Sequence, residues 1–207
     1  MDRDQLGIDD GAMPLAHFHA ANPAGTAFDL DARNPDSVHG KTVSPAVESD
    51  APSLRRAFSM FPTGVVAMCG VDEDGPVGLT INSFTSVSLD PPLVSVCIAR
   101  RSFTWSRLRR LSRIGISVLA ANQEALSRQL SARHTDRFAG VDYQVTPEGA
   151  LYIRGGSLWL DCSIRDCIDG GDHEIVLLSV VDSAVFPDVR PLVFHQSQYR
   201  GLATPAG

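Results

Sequence analysis

The chain after residue 60 is divided into short apolar segments rich in β-branched residues, and this division limits the folds open to it. The segments alternate with turn signals such as Asp72–Gly75, which follows the first of them. Runs of this length and composition, bounded by Gly, Pro, Asp and Asn, are typical of strands. The pattern predicts strands over residues 64–71, 76–89 (a strand followed by a polar segment), 92–99, 115–120, 158–169, 173–186 and 191–200.

Only three segments have apolar residues at helical spacing. Each also has a Ser or Asn near its start, and these residue types cap helix N-termini well. The pattern predicts helices over residues 53–61, 103–111 and 122–132, with Ser53, Ser102 and Asn122 as the respective N-caps.

Many strands joined by short turns, with few helices, favour a mainly β fold: an antiparallel barrel with a few peripheral helices. No alternation of strands and helices is visible, and no G-x-G-x-x-G follows a strand. A dinucleotide-binding domain built on a parallel sheet is therefore disfavoured.

The first 50 residues differ from the rest in composition. They contain nine acidic and three basic residues, which accounts for the whole net charge of −6, and they have no sustained apolar period. This pattern predicts an acidic, flexible extension over residues 1–50 and a globular domain over residues 51–207.

Charge and hydropathy exclude two classes of partner. Residues 51–207 are electrically balanced, so no basic face for nucleic acid is expected. No apolar run approaches the roughly 20 residues of a membrane helix, and the N-terminus lacks a basic-then-apolar signal pattern. We therefore expect a cytoplasmic protein with no membrane association.

The four cysteines give no indication of a metal site. Cys162 and Cys167 have a C-x4-C spacing that matches no common zinc site. Cys69 and Cys97 lie in apolar runs and are expected in the core.

The segment TINSFTSVSL concentrates hydroxyl and amide side chains that rarely build a core. Both groups donate and accept hydrogen bonds, so the segment is suited to a polar ligand. A solvent-facing strand edge is the alternative interpretation. The residues concerned are Thr80, Asn82, Ser83, Thr85, Ser86 and Ser88.

Two further stretches contain groups suited to ligand binding. In ARRSFTW, Arg100 and Arg101 precede Ser102 and Thr104 at a predicted helix start. Arginine side chains, hydroxyls and helix N–H groups together can form an anion site. A solvated basic helix is the alternative interpretation. In GGDHEIV, His173 follows Asp172 before a long strand, where it either serves a ligand near neutral pH or only forms a structural hydrogen bond.

Five pieces taken in order resemble the short-chain flavin reductases, the reductase components of two-component flavin monooxygenases. They span residues 54 to 202, nearly the whole predicted domain. The pieces are FPTGVVAM, GLTINSFTSVSLDPPLVSVCIARRSFTW, RFAGVDY, GDHEIVLLSVV and PLVFHQSQYRGL.

The resemblance implies a split β-barrel that forms homodimers with flavin near the subunit interface. It implies hydride transfer from NADH or NADPH to FMN or FAD, and delivery of the reduced flavin to a separate monooxygenase. An alternative within the same fold is an enzyme that retains its flavin and acts directly on an organic substrate. A non-enzymatic flavin-binding module is a third possibility, which the GDH motif disfavours.

The resemblance also implies roles for particular residues. The polar segment would line the flavin ring and ribityl chain, the arginine segment would hold the phosphate, and His173 would meet the nicotinamide. The expected cofactor-binding residues are Thr80, Asn82, Ser83, Ser86, Ser88, Arg100, Ser102, Thr104, Arg137, Phe138, Tyr199 and Arg200.

Overall fold

A computed structural model of the protein describes residues 51–133 and 135–203. The predicted acidic extension, residues 1–50, lies outside the described residues. The helices are α1 (Ala51–Phe58), α2 (Phe103–Leu108) and α3 (Glu124–Ser131). The strands are β1 (Thr63–Gly64), β2 (Val66–Asp72), β3 (Gly75–Ile81), β4 (Thr85–Leu89), β5 (Pro92–Ala99), β6 (Ile114–Val118), β7 (Tyr143–Val145), β8 (Leu151–Ile153), β9 (Leu158–Gly170), β10 (His173–Val185), β11 (Leu192–His195) and β12 (Gln198–Gly201).

The main sheet has seven strands in the order β3-β2-β6-β9-β10-β5-β4. Every strand pairing among the described residues is antiparallel. β1, β11 and β12 form a second, small sheet, and β7 and β8 form a hairpin. The prediction of a mainly β, antiparallel fold with a few peripheral helices is confirmed.

The two outermost strands of the main sheet, β3 and β4, are consecutive in the chain and are joined only by residues 82–84. Six strand spacings of about 4.8 Å would separate them by about 29 Å in a flat sheet. The four steps from Ile81 to Thr85 span at most about 14 Å of extended chain. The sheet must therefore curl until its edges approach each other, which makes it a barrel.

β2 is the strand around which the core is organised, because it is buried on both faces. Its alternate residues Val66 and Met68 face one apolar cluster, which also contains Trp105 and Leu108 of α2. The intervening Ala67 and Cys69 belong to a second cluster, with Leu130 of α3 and Leu151 of β8. The period of two along a strand thus divides the core into two layers.

The predicted helices exist, but two of their predicted caps are wrong. α1 begins at Ala51, so Ser53 lies inside the helix. α3 begins after Gln123, and the Gln123 side chain instead accepts a hydrogen bond from the Ala120 amide (2.8 Å). Ser102 is the N-cap of α2 as predicted, since its hydroxyl accepts from the Trp105 amide at 3.2 Å. No helix in the described ranges has the length and apolar character needed to cross a membrane.

The single strand predicted over residues 191–200 is wrong, because the chain reverses within it. β11 and β12 pair through a two-residue turn at Gln196 and Ser197, whose φ angles are 51° and 59°. Two positive φ values define a type I′ hairpin turn. Neither residue is the Gly, Asn or Asp that usually indicates such a turn, so the sequence contained no signal for it.

The cysteine expectation is half right. Cys69 is fully buried in the core, as expected. Cys97 is exposed, because in the alternation along β5 its neighbours Val96 and Ile98 occupy the buried positions.

The closest backbone contact of the barrel lies at Gly115 of β6. A Cβ at this position would lie 2.1 Å from the carbonyl oxygen of Leu151 and 2.6 Å from its carbon. Because both are backbone atoms, no side-chain rotation relieves the clash, and the β8 segment must move.

We expect Gly115→Ala to destabilise the protein by about 3 kcal/mol, at the upper end of overpacking costs. Gly64→Ala is the matched control, because a Cβ there meets nothing within 4 Å. Thermal unfolding of both variants is the measurement. Equal melting temperatures would show that β6 and β8 do not approach as described.

Candidate functional site

A cleft of about 900 Å³ opens between β3, the chain from Ala99 into α2, and the loop that follows α3. Its walls therefore combine parts of the chain that the barrel brings together from three distant places. Five of the predicted site residues line it: Thr80, Ser102, Thr104, Arg137 and Phe138.

Arg137 is held in the cleft by three hydrogen bonds to neutral oxygens. Its Nε donates to the carbonyl oxygen of Ala132 at 2.7 Å. Its Nη1 donates to the hydroxyl of Thr104 at 2.7 Å and to the carbonyl oxygen of Gly78 at 3.1 Å. All three acceptors are neutral, so they fix the guanidinium without cancelling its charge. Partial burial lowers the pKa of Arg137 from its usual value.

The loop that carries Arg137 is itself anchored to α3. The side-chain amide of Gln129 donates to the carbonyl oxygens of Arg137 (3.1 Å) and Ala139 (2.9 Å). Phe138 is buried against Gly78, where an added Cβ would lie 3.0 Å from the phenyl ring. The absence of a side chain at Gly78 thus allows Phe138 to close one end of the cleft.

The cleft has an excess of positive charge. Arg101, Arg107 and Arg133 line it together with Arg137. Arg107 is neutralised by a bidentate pair with Asp72, with distances of 2.7 and 2.6 Å, and this pair lowers the pKa of the carboxyl. No ion pair among residues 51–133 and 135–203 involves the other three arginines. Three guanidinium groups therefore remain available for an anion.

Thr80 and Tyr199 meet the same helix from opposite sides. The Thr80 hydroxyl donates to the carbonyl oxygen of Ser127 at 3.3 Å and contacts the Ser131 hydroxyl. The Tyr199 hydroxyl is 2.9 Å from Ser127 Oγ, and the Arg128 guanidinium lies 4.9 Å from the Tyr199 ring centroid. Tyr199 thus reaches the cleft only through α3, whereas Arg200, the next residue, is exposed on β12.

Apart from Thr80, which lines the cleft, the polar segment lies at the seam of the barrel, where the short β3–β4 connection joins the two outermost strands. Asn82 is exposed in the β3–β4 connection, and Ser86 and Ser88 lie on β4. Ser83 has a structural task, because its hydroxyl accepts from the Cys97 amide (2.8 Å) and donates to the Cys97 carbonyl oxygen (3.0 Å). This pair of bonds continues the β4–β5 ladder beyond its last paired residues, Thr85 and Ser95.

His173 lies beside the cleft, at the start of β10. The strand register pairs it with Ala99 of β5, which lines the cleft, and directly opposite residues have Cβ atoms about 5 Å apart. Its Nδ1 is 2.7 Å from Asp172 Oδ1, and this bond lowers the pKa of the carboxyl. An ionised carboxylate only accepts, so Nδ1 carries the proton and Nε2 is left for a ligand.

Arg100 contacts a different part of the structure from the one predicted. Its side chain binds the turn between β9 and β10 through Gly171 and Asp169, and the cleft is lined by Arg101 instead. The flavin-phosphate role of Arg100 stays a prediction, as do those of the seam residues.

Sequence reasoning did not select Arg107 and Arg133, although both line the cleft. Arg107 lies one helical turn after Phe103, which also lines the cleft, so a helical projection would have placed the two side chains on the same face of α2. Arg133 follows the end of α3 in a stretch with no pattern, and only the tertiary fold brings it to the cleft.

A barrel with a cationic cleft, a neighbouring histidine and several hydroxyl groups in the cleft lining is suited to an anionic, polar cofactor. Residues 58–203 match the family of flavin reductase like domains. The chain belongs to this family.

Several known relatives share most of their length with this chain. The reductase subunit HsaB of a flavin-dependent monooxygenase from Rhodococcus jostii is 33% identical over 165 residues, which cover 80% of this chain and 85% of the relative. The NADH-dependent FAD reductase of Streptomyces globisporus is 39% identical over 163 residues, covering 76% and 88% of the two chains. A structure of the Streptomyces globisporus NADH:FAD oxidoreductase SgcE6 with NAD and FAD fragments superposes with a TM-score of 0.74, at 37% identity, over 81% of this chain and 100% of that one.

The three arginines of the cleft that form no ion pair among the described residues predict that the cleft binds a diphosphate. We expect inorganic pyrophosphate at low ionic strength to raise the melting temperature, and Arg137→Gln to abolish most of that rise because it removes the held cation. Arg165→Gln is the matched control, since Arg165 is exposed on β9 and does not line the cleft. Differential scanning fluorimetry measures the shifts. An equal loss in both variants would mean that pyrophosphate only screens surface charge.

Proposed function

We propose that this protein is an NAD(P)H:flavin oxidoreductase that reduces free flavin and supplies it to a separate monooxygenase. The observation that carries the proposal is the cleft of a chain that belongs to the flavin reductase family. Its lining contains one carboxylate, Asp136, and three arginines that form no ion pair among the described residues, Arg101, Arg133 and Arg137. A flavin nucleotide is the ligand that the family indicates, and its phosphate groups suit the positive charge of the cleft.

We further infer that the preferred pair of cofactors is FAD and NADH. The names of a Streptomyces globisporus NADH-dependent FAD reductase and of the Streptomyces globisporus oxidoreductase structure with NAD and FAD fragments support this choice. The groups in and beside the cleft fit a flavin nucleotide, because guanidinium groups suit the phosphates and neutral hydroxyls and amides suit the ring and ribityl chain. FMN and NADPH are the alternatives that the same groups would admit.

The cofactors supply the hydride chemistry when bound, and the protein supplies orientation and electrostatics. In this arrangement Arg137, held by Thr104 and Gly78, binds an anionic group of the flavin with little loss of side-chain freedom. Asn82 offers a donor and an acceptor at the seam. His173, whose Nδ1 is held by Asp172, presents Nε2 to the nicotinamide.

We propose that the protein acts as a homodimer. Exposed apolar side chains on β4 and on the second half of β10 support this, because soluble monomers seldom expose such clusters. The side chains are Val87, Leu89, Val181 and Val185.

Residues 1–50 are proposed as an extension beyond this domain, in keeping with a family match that begins at residue 58. The proposed site of action is the cytoplasm.

The proposed partner is a flavin-dependent monooxygenase that takes up the reduced flavin transiently. The name of the Rhodococcus jostii relative, a reductase subunit of such an enzyme, supports this inference.

The test is anaerobic. Purified protein is mixed with NADH and an excess of free FAD, then of FMN, and the loss of oxidised-flavin absorbance is followed. Many turnovers per protein are expected. A single turnover that stops at one flavin per protein would favour the alternative enzyme that retains flavin and acts on an organic substrate.

We expect Asn82→Ala to weaken flavin binding about tenfold, the cost of losing one hydrogen bond to a ligand. Asn122→Ala is the matched control, since Asn122 is also exposed but lies before α3, outside the cleft lining. Flavin titration by fluorescence quenching measures both. Unchanged affinity in Asn82→Ala would remove the seam from the flavin site.

A further inference from the structure

The two consecutive arginines at the end of β5 are directed to different places. Arg101 lines the cleft. Arg100 contacts the turn between β9 and β10, which comprises Gly171 and Asp172 and directly precedes His173. The structure therefore separates two residues that the sequence shows as one basic pair.

Arg100 contacts this turn at two points and the end of β9 at a third. Its backbone amide donates to the carbonyl oxygen of Asp172 at 3.1 Å. Its Nε donates to the carbonyl oxygen of Gly171 at 2.9 Å. Its Nη2 lies 2.8 Å from Asp169 Oδ2, and the other oxygen of Asp169 accepts from the Gly171 amide at 2.9 Å. Arg100 and Asp169 thus hold Gly171 from both of its backbone groups.

The turn needs such support because its conformation is not fixed by its own residues. Gly171 has a φ of +80°. Glycine adopts this conformation readily, but it adopts many others as readily, so the residue alone does not fix the turn. The ring of His173 is oriented by Asp172, the second residue of this turn. A change in the turn would therefore move the imidazole directly.

We propose that Arg100 is a positioning residue, which holds the Gly171–Asp172 turn and thereby orients His173 toward the nicotinamide. Arg101, not Arg100, is the member of the pair that meets the anionic part of the cofactor. This inference rests on the proposed function, because it assigns Arg100 to the nicotinamide half of that reaction.

Asp169 separates this role from direct phosphate binding. If Arg100 positions the turn, loss of its carboxylate partner loosens the turn and weakens use of NADH. If Arg100 itself binds the flavin phosphate, Asp169 competes with that phosphate, and its removal strengthens flavin binding. Removal of the Asp169 carboxylate therefore distinguishes the two roles. The positioning role predicts weaker use of NADH, whereas direct phosphate binding predicts tighter binding of flavin.

The first experiment uses Asp169→Asn in the full chain. We expect the KM for NADH to rise about fivefold, as for a lost charge-assisted hydrogen bond at an exposed site, while the dissociation constant for FAD stays within about twofold. The side chain of Asp169 is exposed, so the variant is expected to fold. Asp188→Asn, in the loop between β10 and β11, is the control. Tighter FAD binding with an unchanged KM for NADH would overturn the proposal.

The second experiment is a double-mutant cycle between Arg100→Ala and His173→Ala. Arg100→Ala alone should raise the KM for NADH about tenfold, and should add less than about twofold in the His173→Ala background. A purely structural role would give additive effects, which would also overturn the proposal. Arg101→Ala is expected to weaken FAD binding instead.

The wild-type protein in the same assay separates the two levels of inference. If it fails to oxidise NADH with FAD or FMN, the proposed function fails and this inference fails with it. If the wild type turns over and the variants behave as Asp188→Asn does, only the positioning role of Arg100 is lost.

Discussion

The short connection between β3 and β4 is the constraint on which the rest of the structure depends. Because only residues 82–84 join the two outermost strands, the seven-stranded sheet has to close on itself. Closure places β3 beside the end of β5, and these two strands form opposite walls of the cleft. The side chain of Ser83 completes the closure, since its hydroxyl satisfies both backbone groups of Cys97. The polar residues that the sequence makes conspicuous therefore serve the barrel as well as any ligand.

Charge in the cleft is controlled by which arginines receive a carboxylate and which receive neutral oxygens. Arg107 is paired with Asp72. Its side chain therefore forms part of the cleft wall but adds little net positive charge to the cleft. Arg137 is held by a hydroxyl and two carbonyl oxygens, so it is ordered while its charge remains uncompensated. An ordered, uncompensated cation attracts an anion without first losing side-chain freedom. This difference explains how a domain with no net charge can still favour an anionic cofactor.

The sequence predicted what is local and missed what depends on distant pairing. Alternating β-branched residues located most strands of the main sheet, and Ser102 was recognised as a cap because its signal lies within four residues. The hairpin at Gln196 and Ser197 was missed because its positive φ angles are imposed on residues that do not favour them. The different directions of Arg100 and Arg101 depend on the register of β5 with β10. No local pattern in the sequence encodes that register.

The β9–β10 hairpin has a consequence for how the chain reaches this structure. Each strand has 13 residues, and only two residues join them, so the longest strand pairing among the described residues has a small loop-closure entropy. Local pairings form early, whereas the pairing of β2 with β6 joins residues that are distant in sequence and forms later. We expect this hairpin to belong to the folding nucleus, which would appear as high φ-values along its length. The turn that carries Asp172 and leads into His173 would then be among the first parts of the molecule to become ordered, before the cleft beside it exists.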